Sequence, residues 1–239
     1  MANLKAGKLT DFMFPIDENL AEFFGIMFGD GKLTIDGHKT GYRVQIWLDA
    51  KTEQEYSEYV RDLCIKLFNV EPAVCLEHNS SVICVRFHAK QTILALHRLG
   101  IPLNHEGEMI VPGWIITNAP FSAAFLRGLF DTDGGVVFQR DRGYVYRLIK
   151  ITMKNLNFAE TVKNMLLKLG FHPYICKHGG MYSGYEVVLR KLLDQQLWKN
   201  NIGTSNQKNL EKLEGRPLVA ARKWERRDLN PKLVGWSHS

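Results

Sequence analysis

One ten-residue pattern occurs twice in this chain and limits what it can fold into. Residues 22–31 read EFFGIMFGDG, and residues 125–134 read FLRGLFDTDG. Sliding the chain by 103 positions lays Gly25 on Gly128, Asp30 on Asp133 and Gly31 on Gly134. Each copy reads as a short apolar helix with a glycine in its middle and an acid–glycine pair at its end. A duplicated helix of this kind calls for two like halves that meet where the helices meet.

Both details run against helix physics. A mid-helix Gly costs about 1 kcal/mol relative to Ala, a cost that close approach by a second helix backbone would explain. An Asp in the last turn faces the negative end of the helix dipole, which is unfavourable by roughly 0.3–1 kcal/mol. A glycine C-cap accounts for Gly31 and Gly134. It does not account for Asp30 and Asp133. The same misplaced carboxylate in both copies points to a bound cation.

Composition narrows the partners. The 239 residues are 45% hydrophobic and 23% charged, as in ordinary soluble globular proteins. No apolar run approaches the ~20 residues of a membrane span. The opening MANLKAGKLTDF lacks the apolar core of a secretory signal, so no membrane partner and a cytoplasmic location are expected. Cys64, Cys75, Cys84 and Cys176 show no CxxC pairing, which argues against zinc. A net charge of +6 favours a polyanionic partner.

The paired segments resemble the motifs of LAGLIDADG homing endonucleases, in the single-chain form that carries both copies. The resemblance covers roughly residues 17–202. The passage IPLNHEGEMIVPGWI before FLRGLFDTDGG resembles the run-in to the second motif in archaeal members, which implies a prokaryotic, archaeal-type protein.

The chain divides accordingly. Residues 1–16 form a lead, 17–100 the first half, 101–117 a linker, 118–202 the second half and 203–239 a basic tail. In the first half a helix capped by Asp17 runs to Asp30–Gly31. Strands Lys32–Ile35 and Tyr42–Leu48, a helix Thr52–Phe68, strands Ala73–His78 and Val82–His88, and a helix Lys90–Leu99 follow. The second half repeats the order. Its helix is capped by Asn118 with Pro120 in the first turn. Then come strands Val136–Arg140 and Tyr144–Met153, a helix Asn157–Leu169, strands His172–Lys177 and Tyr185–Arg190, and a helix Lys191–Asn200. The expected fold is α+β, a pseudo-twofold repeat of αββαββα whose two antiparallel sheets form a DNA-binding saddle.

Strands with one apolar and one polar face imply sheets backed by helices and open on the other side. In the first half the open side offers Lys32, Thr34, Arg43, Gln45, Trp47 and Arg86. In the second it offers Gln139, Arg140, Tyr144, Tyr146, Lys150, Thr152 and Arg190. His38, Lys39, Arg142 and Lys177 lie at hairpin tips, and Lys154 follows the long strand. Arg suits guanine, Gln suits adenine, and Lys suits phosphate. A strand of ~8 residues spans ~26 Å, or roughly 8 base pairs. The same residue types also suit an ordinary solvated sheet face.

The resemblance supplies the chemistry. It implies that Gly25 and Gly128 form the helix interface and that Asp30 and Asp133 are the catalytic carboxylates. With Gly29 and Thr132 beside them, these acids would hold Mg²⁺, with Mn²⁺ as a substitute and Ca²⁺ supporting binding without cleavage. The implied reaction is metal-dependent hydrolysis of both strands of a long, asymmetric DNA target, leaving a staggered break. It would be carried out by a monomer with no obligate protein partner.

Asp131, whose first-half counterpart is Phe28, reads as structural. Many members of that family place Gln or Lys near the end of the long strand. Leu48 and Met153 stand there in this chain, followed by Asp49 and Lys154, so Lys150 and Lys154 are the candidates for organising water. The alternatives are an RNA-binding maturase acting on intron RNA and a non-catalytic DNA-binding regulator. The presence of both acids argues for catalysis.

Overall fold

The computed structural model describes residues 14–35, 41–77, 81–103, 109–141, 144–178 and 184–215. The first half runs α1 (Glu18–Gly29), β1 (Gly31–Ile35), β2 (Tyr42–Asp49), α2 (Gln54–Phe68), β3 (Ala73–Leu76), β4 (Val82–Phe87) and α3 (Lys90–Leu99). A short α4 (Gly113–Ile116) lies in the expected linker. The second half runs α5 (Ala119–Asp133), β5 (Gly134–Asp141), β6 (Tyr144–Met153), α6 (Leu156–Lys168), β7 (Tyr174–His178), β8 (Gly184–Leu189) and α7 (Leu192–Asn201). A further helix, α8 (Gln207–Glu214), follows. The repeated αββαββα order is present, in an α+β fold with two antiparallel four-stranded sheets ordered β1-β2-β4-β3 and β5-β6-β8-β7.

Local chemistry sets the element ends. The Asp17 carboxylate accepts from the Leu20 N–H at 2.9 Å and starts α1. The Asn118 side chain accepts from the Phe121 N–H and starts α5, with Pro120 in its first turn. β1 and β5 begin earlier than expected, on glycine. Gly31 pairs with Ile46 and Gly134 with Ile151, because each motif helix passes directly into its strand. Glycine's poor strand propensity hid this. α2 starts later than expected, at Gln54, because the Glu53 carboxylate turns back to the Asp49 N–H at 2.8 Å. β7 starts at Tyr174 rather than His172. The buried Asp194 takes both the His172 N–H and its Nδ1 and so draws that residue out of the ladder.

The core is organised around the two motif helices, whose mutual contact is the most extensive between any two elements. Phe23, Phe24, Ile26 and Met27 of α1 are fully buried, as are Phe125, Leu126, Leu129 and Phe130 of α5. Phe28 crosses between halves and meets Phe125 and Phe158 edge-on or tilted, at 5.4 and 5.8 Å. Both glycines sit at the crossing. A Cβ on Gly25 would run into the Phe125 carbonyl and lie 2.7 Å from the Leu129 nitrogen. One on Gly128 would run into the Glu22 carbonyl and lie 2.9 Å from the Ile26 nitrogen. Backbone meets backbone here.

The first residues of the expected tail pack on the body. Residues 203–215 are part of the body, and α8 packs beside β5. Residues 204–206 cross from one half to the other. Thr204 and Ser205 bond to Asp131, Ser205 Oγ donates to Glu22, and Asn206 donates to Glu53 and to the Asp131 carbonyl. Glu22 is 1% exposed and also accepts from Arg127 at 2.6 Å and from the Tyr59 hydroxyl at 2.8 Å. Only polar partners for these buried carboxylates make their burial tolerable. The sequence hid this role because residues 203–215 are mostly polar and their partners lie far away in the chain. Residues 216–239 of the expected tail and 1–13 of the expected lead lie outside the described residues.

Gly25→Ala should force the helices apart and cost on the order of 2–3 kcal/mol by overpacking. Thermal or urea unfolding checks this, and an unchanged melting temperature would contradict the contact.

Candidate active site

The two motif helices end side by side. Asp30 follows the last residue of α1, and its carbonyl accepts the Trp47 N–H from β2 at 3.1 Å, which fixes where the chain turns into the sheet. Asp133 is the last residue of α5. A Cβ on Gly29 would strike the Thr132 hydroxyl and come within 3.5 Å of the Asp133 carboxyl carbon. Gly29 thus leaves room for the opposite motif, while the Thr132 hydroxyl donates to the Gly128 and Leu129 carbonyls of its own helix.

Both carboxylates are disturbed by this placement. Burial, with the nearby Glu53, raises Asp30 from 3.8 to about 6, against a lowering by Lys208. Burial, with the Asp30 charge, raises Asp133 to about 7, against a lowering by Lys154. Desolvation is the larger cause for both, and the Asp30 charge adds to it at Asp133. Asp131 points elsewhere. Burial raises it to about 7 as well, while Thr204 and Ser205 hold it in the polar seam between halves. Among the described residues, no group of three or more His, Cys, Asp or Glu side chains is arranged to enclose a metal ion. Two adjacent, desolvated carboxylates do fit a hard divalent cation that takes its other oxygens from water and a ligand.

Strand register sorts the remaining candidates. Lys32, Gln45 and Arg86 lie in one cross-strand row, Thr34 pairs with Arg43, and Trp47 lies beside Cys84. All of these share the face opposite the buried Leu33, Val44 and Ile46. In the second sheet Gln139 pairs with Tyr146, Lys150 with Val188, and Thr152 with Glu186, again on one face. Arg190 stacks on the Tyr146 ring at 4.1 Å.

Two placements differ from expectation. Arg140 pairs with Val145, in the register of the helix-packed face, because neighbours on a strand alternate sides, whereas Lys177 stays near its expected hairpin tip, paired with Tyr185 at the end of β7. Lys150, expected to be available, is paired with Glu186 at 2.8 Å. His38, Lys39 and Arg142 lie outside the described residues, as does the Tyr144 side chain. Glu53 and Lys208 beside Asp30, joined at 2.6 Å, were not legible in the sequence. Glu53 has no acidic counterpart in the second half, and Lys208 belongs to a helix without one in the repeat.

Comparison with known proteins fits this architecture. Residues 120–213 match a family described as a LAGLIDADG-like domain. An uncharacterized protein of Methanocaldococcus jannaschii is 26% identical over 171 residues, which cover 70% of this chain and 61% of that protein. A structure of mesophilic variants of the homing endonuclease I-DmoI superposes with a TM-score of 0.56 at 20% identity, covering 78% of this chain and 95% of that one. I-DmoI in complex with DNA and calcium gives 0.56 at 18% identity, covering 87% and 97%. Full-length DUF199/WhiA from Thermatoga maritima gives 0.55 at 14% identity, covering 89% and 66%. The chain therefore has the fold of the LAGLIDADG homing endonucleases, with both motif helices in one polypeptide. Its second half matches a LAGLIDADG-like domain, and the resemblance seen in the paired motifs holds.

The raised acids have a consequence for stability. The metal-free fold binds their protons more tightly than the unfolded chain does, so ionising them costs stability as pH rises from about 4 toward 7. Asp133→Asn removes one buried charge. It should flatten that loss and stabilise the metal-free protein at pH 8 by on the order of 1–2 kcal/mol. Melting curves across pH check this, and a variant less stable than the parent at pH 8 would contradict it.

Proposed function

We propose that this protein is a site-specific endonuclease that cuts both strands of a long, asymmetric DNA target in a divalent-metal-dependent reaction. One observation carries the reading. Asp30 and Asp133, one from each half, stand at adjoining helix ends, desolvated and with the charge of one felt by the other. In a purely structural role such a pair would only repel. I-DmoI, which shares the fold, is described as a homing endonuclease and has been crystallised with DNA and with calcium or manganese.

Asp30 and Asp133 would hold the cation, Mg²⁺ by preference. When bound, it would lower the pKa of a water and stabilise charge on the leaving 3′ oxygen. The chain's own residues supply the frame. The Gly25–Gly128 contact sets the spacing between the two acids. Lys154 places a positive charge beside Asp133, where it can act on a phosphate or its attacking water. The Lys32–Gln45–Arg86 row and the Gln139–Tyr146 pair offer donors and acceptors for base edges and phosphates. The two sheets carry different side chains, so the target would be asymmetric. Because protons compete with the cation, cutting should rise with pH through about 6 to 7.

The test is cleavage of a plasmid carrying the uninterrupted host locus, with Mg²⁺, Ca²⁺ or EDTA. A staggered break with Mg²⁺ alone is expected, lost in Asp30→Asn and in Asp133→Asn while DNA binding persists. Normal double-strand cutting by either variant would remove the assignment of the acids. Binding without any cut would favour a regulator, and retained RNA splicing a maturase.

A further inference from the structure

The two acids are served differently, and the difference lies in α8. Sliding by 103 positions places Lys51 on Lys154 and Glu53 on Leu156. The second half therefore has a lysine near its acid and no second carboxylate. The first half has the second carboxylate, and its lysine comes from elsewhere.

Glu53 is 5% exposed. Its Oε2 accepts from the Asp49 N–H at the end of β2, two residues beyond the Trp47 N–H that binds the Asp30 carbonyl. Its Oε1 accepts from Asn206 Nδ2 at 3.0 Å and Lys208 Nζ at 2.6 Å. Asn206 Nδ2 also reaches the Asp131 carbonyl at 3.0 Å, in the last turn of α5. Asn209, one turn on, lies against Gly135, 3.4 Å from where a Cβ would stand. The first turn of α8 is thus wedged between the ends of the two motif helices, with Glu53 as its anchor.

A free Glu53 carboxylate at this position would be a second hard oxygen ligand competing for the cation assigned to Asp30. We propose that Lys208 is a positioning residue of the Asp30 side of the centre. It neutralises Glu53, keeps that carboxylate on α8 and leaves Asp30 as the first half's ligand. This rests on the cation site of the proposed function and does not require that the protein cut DNA.

The experiment measures Mn²⁺ alone, by the EPR signal of the free ion, against the full-length protein with both motif acids in place. Lys208→Met leaves the Glu53 charge without its ion-pair partner, still held by Asn206 and the Asp49 N–H, and should tighten Mn²⁺ on the order of fivefold or more. Glu53→Gln instead leaves the lysine charge beside Asp30 and should weaken Mn²⁺ by a similar factor. The double change should return affinity close to the starting value. General damage would move both single variants the same way. A common direction, or no change in either with melting temperatures intact, would overturn the proposal.

If Lys208→Met does not fold, Glu53→Gln still decides, since unchanged or tighter Mn²⁺ would overturn it. Plasmid cleavage by the unmodified protein is scored separately. Opposite shifts in Mn²⁺ without cleavage would retain the cation site and remove the nuclease reading. Cleavage without opposite shifts would retain the nuclease reading and overturn the role given to Lys208.

Discussion

The contact on which the structure depends is backbone against backbone, where α1 crosses α5. With a hydrogen at Gly25 and Gly128, each helix lies against the other's carbonyl and amide groups. Any side chain there would widen the gap by a carbon's breadth or more. Each motif helix runs on into the first strand of its sheet, at Gly31 and at Gly134, so a change in their spacing would shift both open faces together. The glycine pair costs about 1 kcal/mol at each position in helix propensity, and the surrounding burial offsets it. What the chain gains is a fixed separation between two carboxylates that would otherwise drift apart.

That separation works against stability. Asp30 and Asp133 are both raised by desolvation, and a carboxylate that prefers its proton weakens the fold at neutral pH. The strain is confined to the helix ends. Further back along the same helices, the buried carboxylates Glu22 and Asp131 are satisfied by Arg127, Tyr59, Ser205 and Thr204. The motif helices thus carry buried acids of two kinds, Glu22 and Asp131 held by polar partners and Asp30 and Asp133 brought together at the helix ends.

Much of the framework was legible because it rests on local rules. The glycine–acid repeat, the Asp17 and Asn118 caps and the strand alternation in Tyr42–Asp49 each have a short-range cause. The missed parts have long-range causes. Residues 203–215 read as polar tail because their partners are Glu22, Glu53 and Asp131, far away in sequence. Arg140 looked like an open-face residue from its type, but register near a strand end puts it on the other side. Lys150 looked available because Glu186, which neutralises it, lies on a different strand. One signal was present and unused: Glu22 and Arg127 are opposite charges, each inside a motif helix that is otherwise apolar nearby.

That ion pair also bears on whether the halves are interchangeable. In the repeat alignment Glu22 falls on Phe125 and Arg127 on Phe24, so each charge is matched by a phenylalanine in the other copy. A first half paired with its own duplicate would set Glu22 against Phe24, and a second half would set Arg127 against Phe125. Each arrangement would bury a charge without its partner, at roughly 3–5 kcal/mol per orphaned ion. The repeat preserves the shape of a symmetric dimer while its chemistry requires unlike halves. Neither half could replace the other, and an asymmetric interface is therefore fixed in the helices themselves.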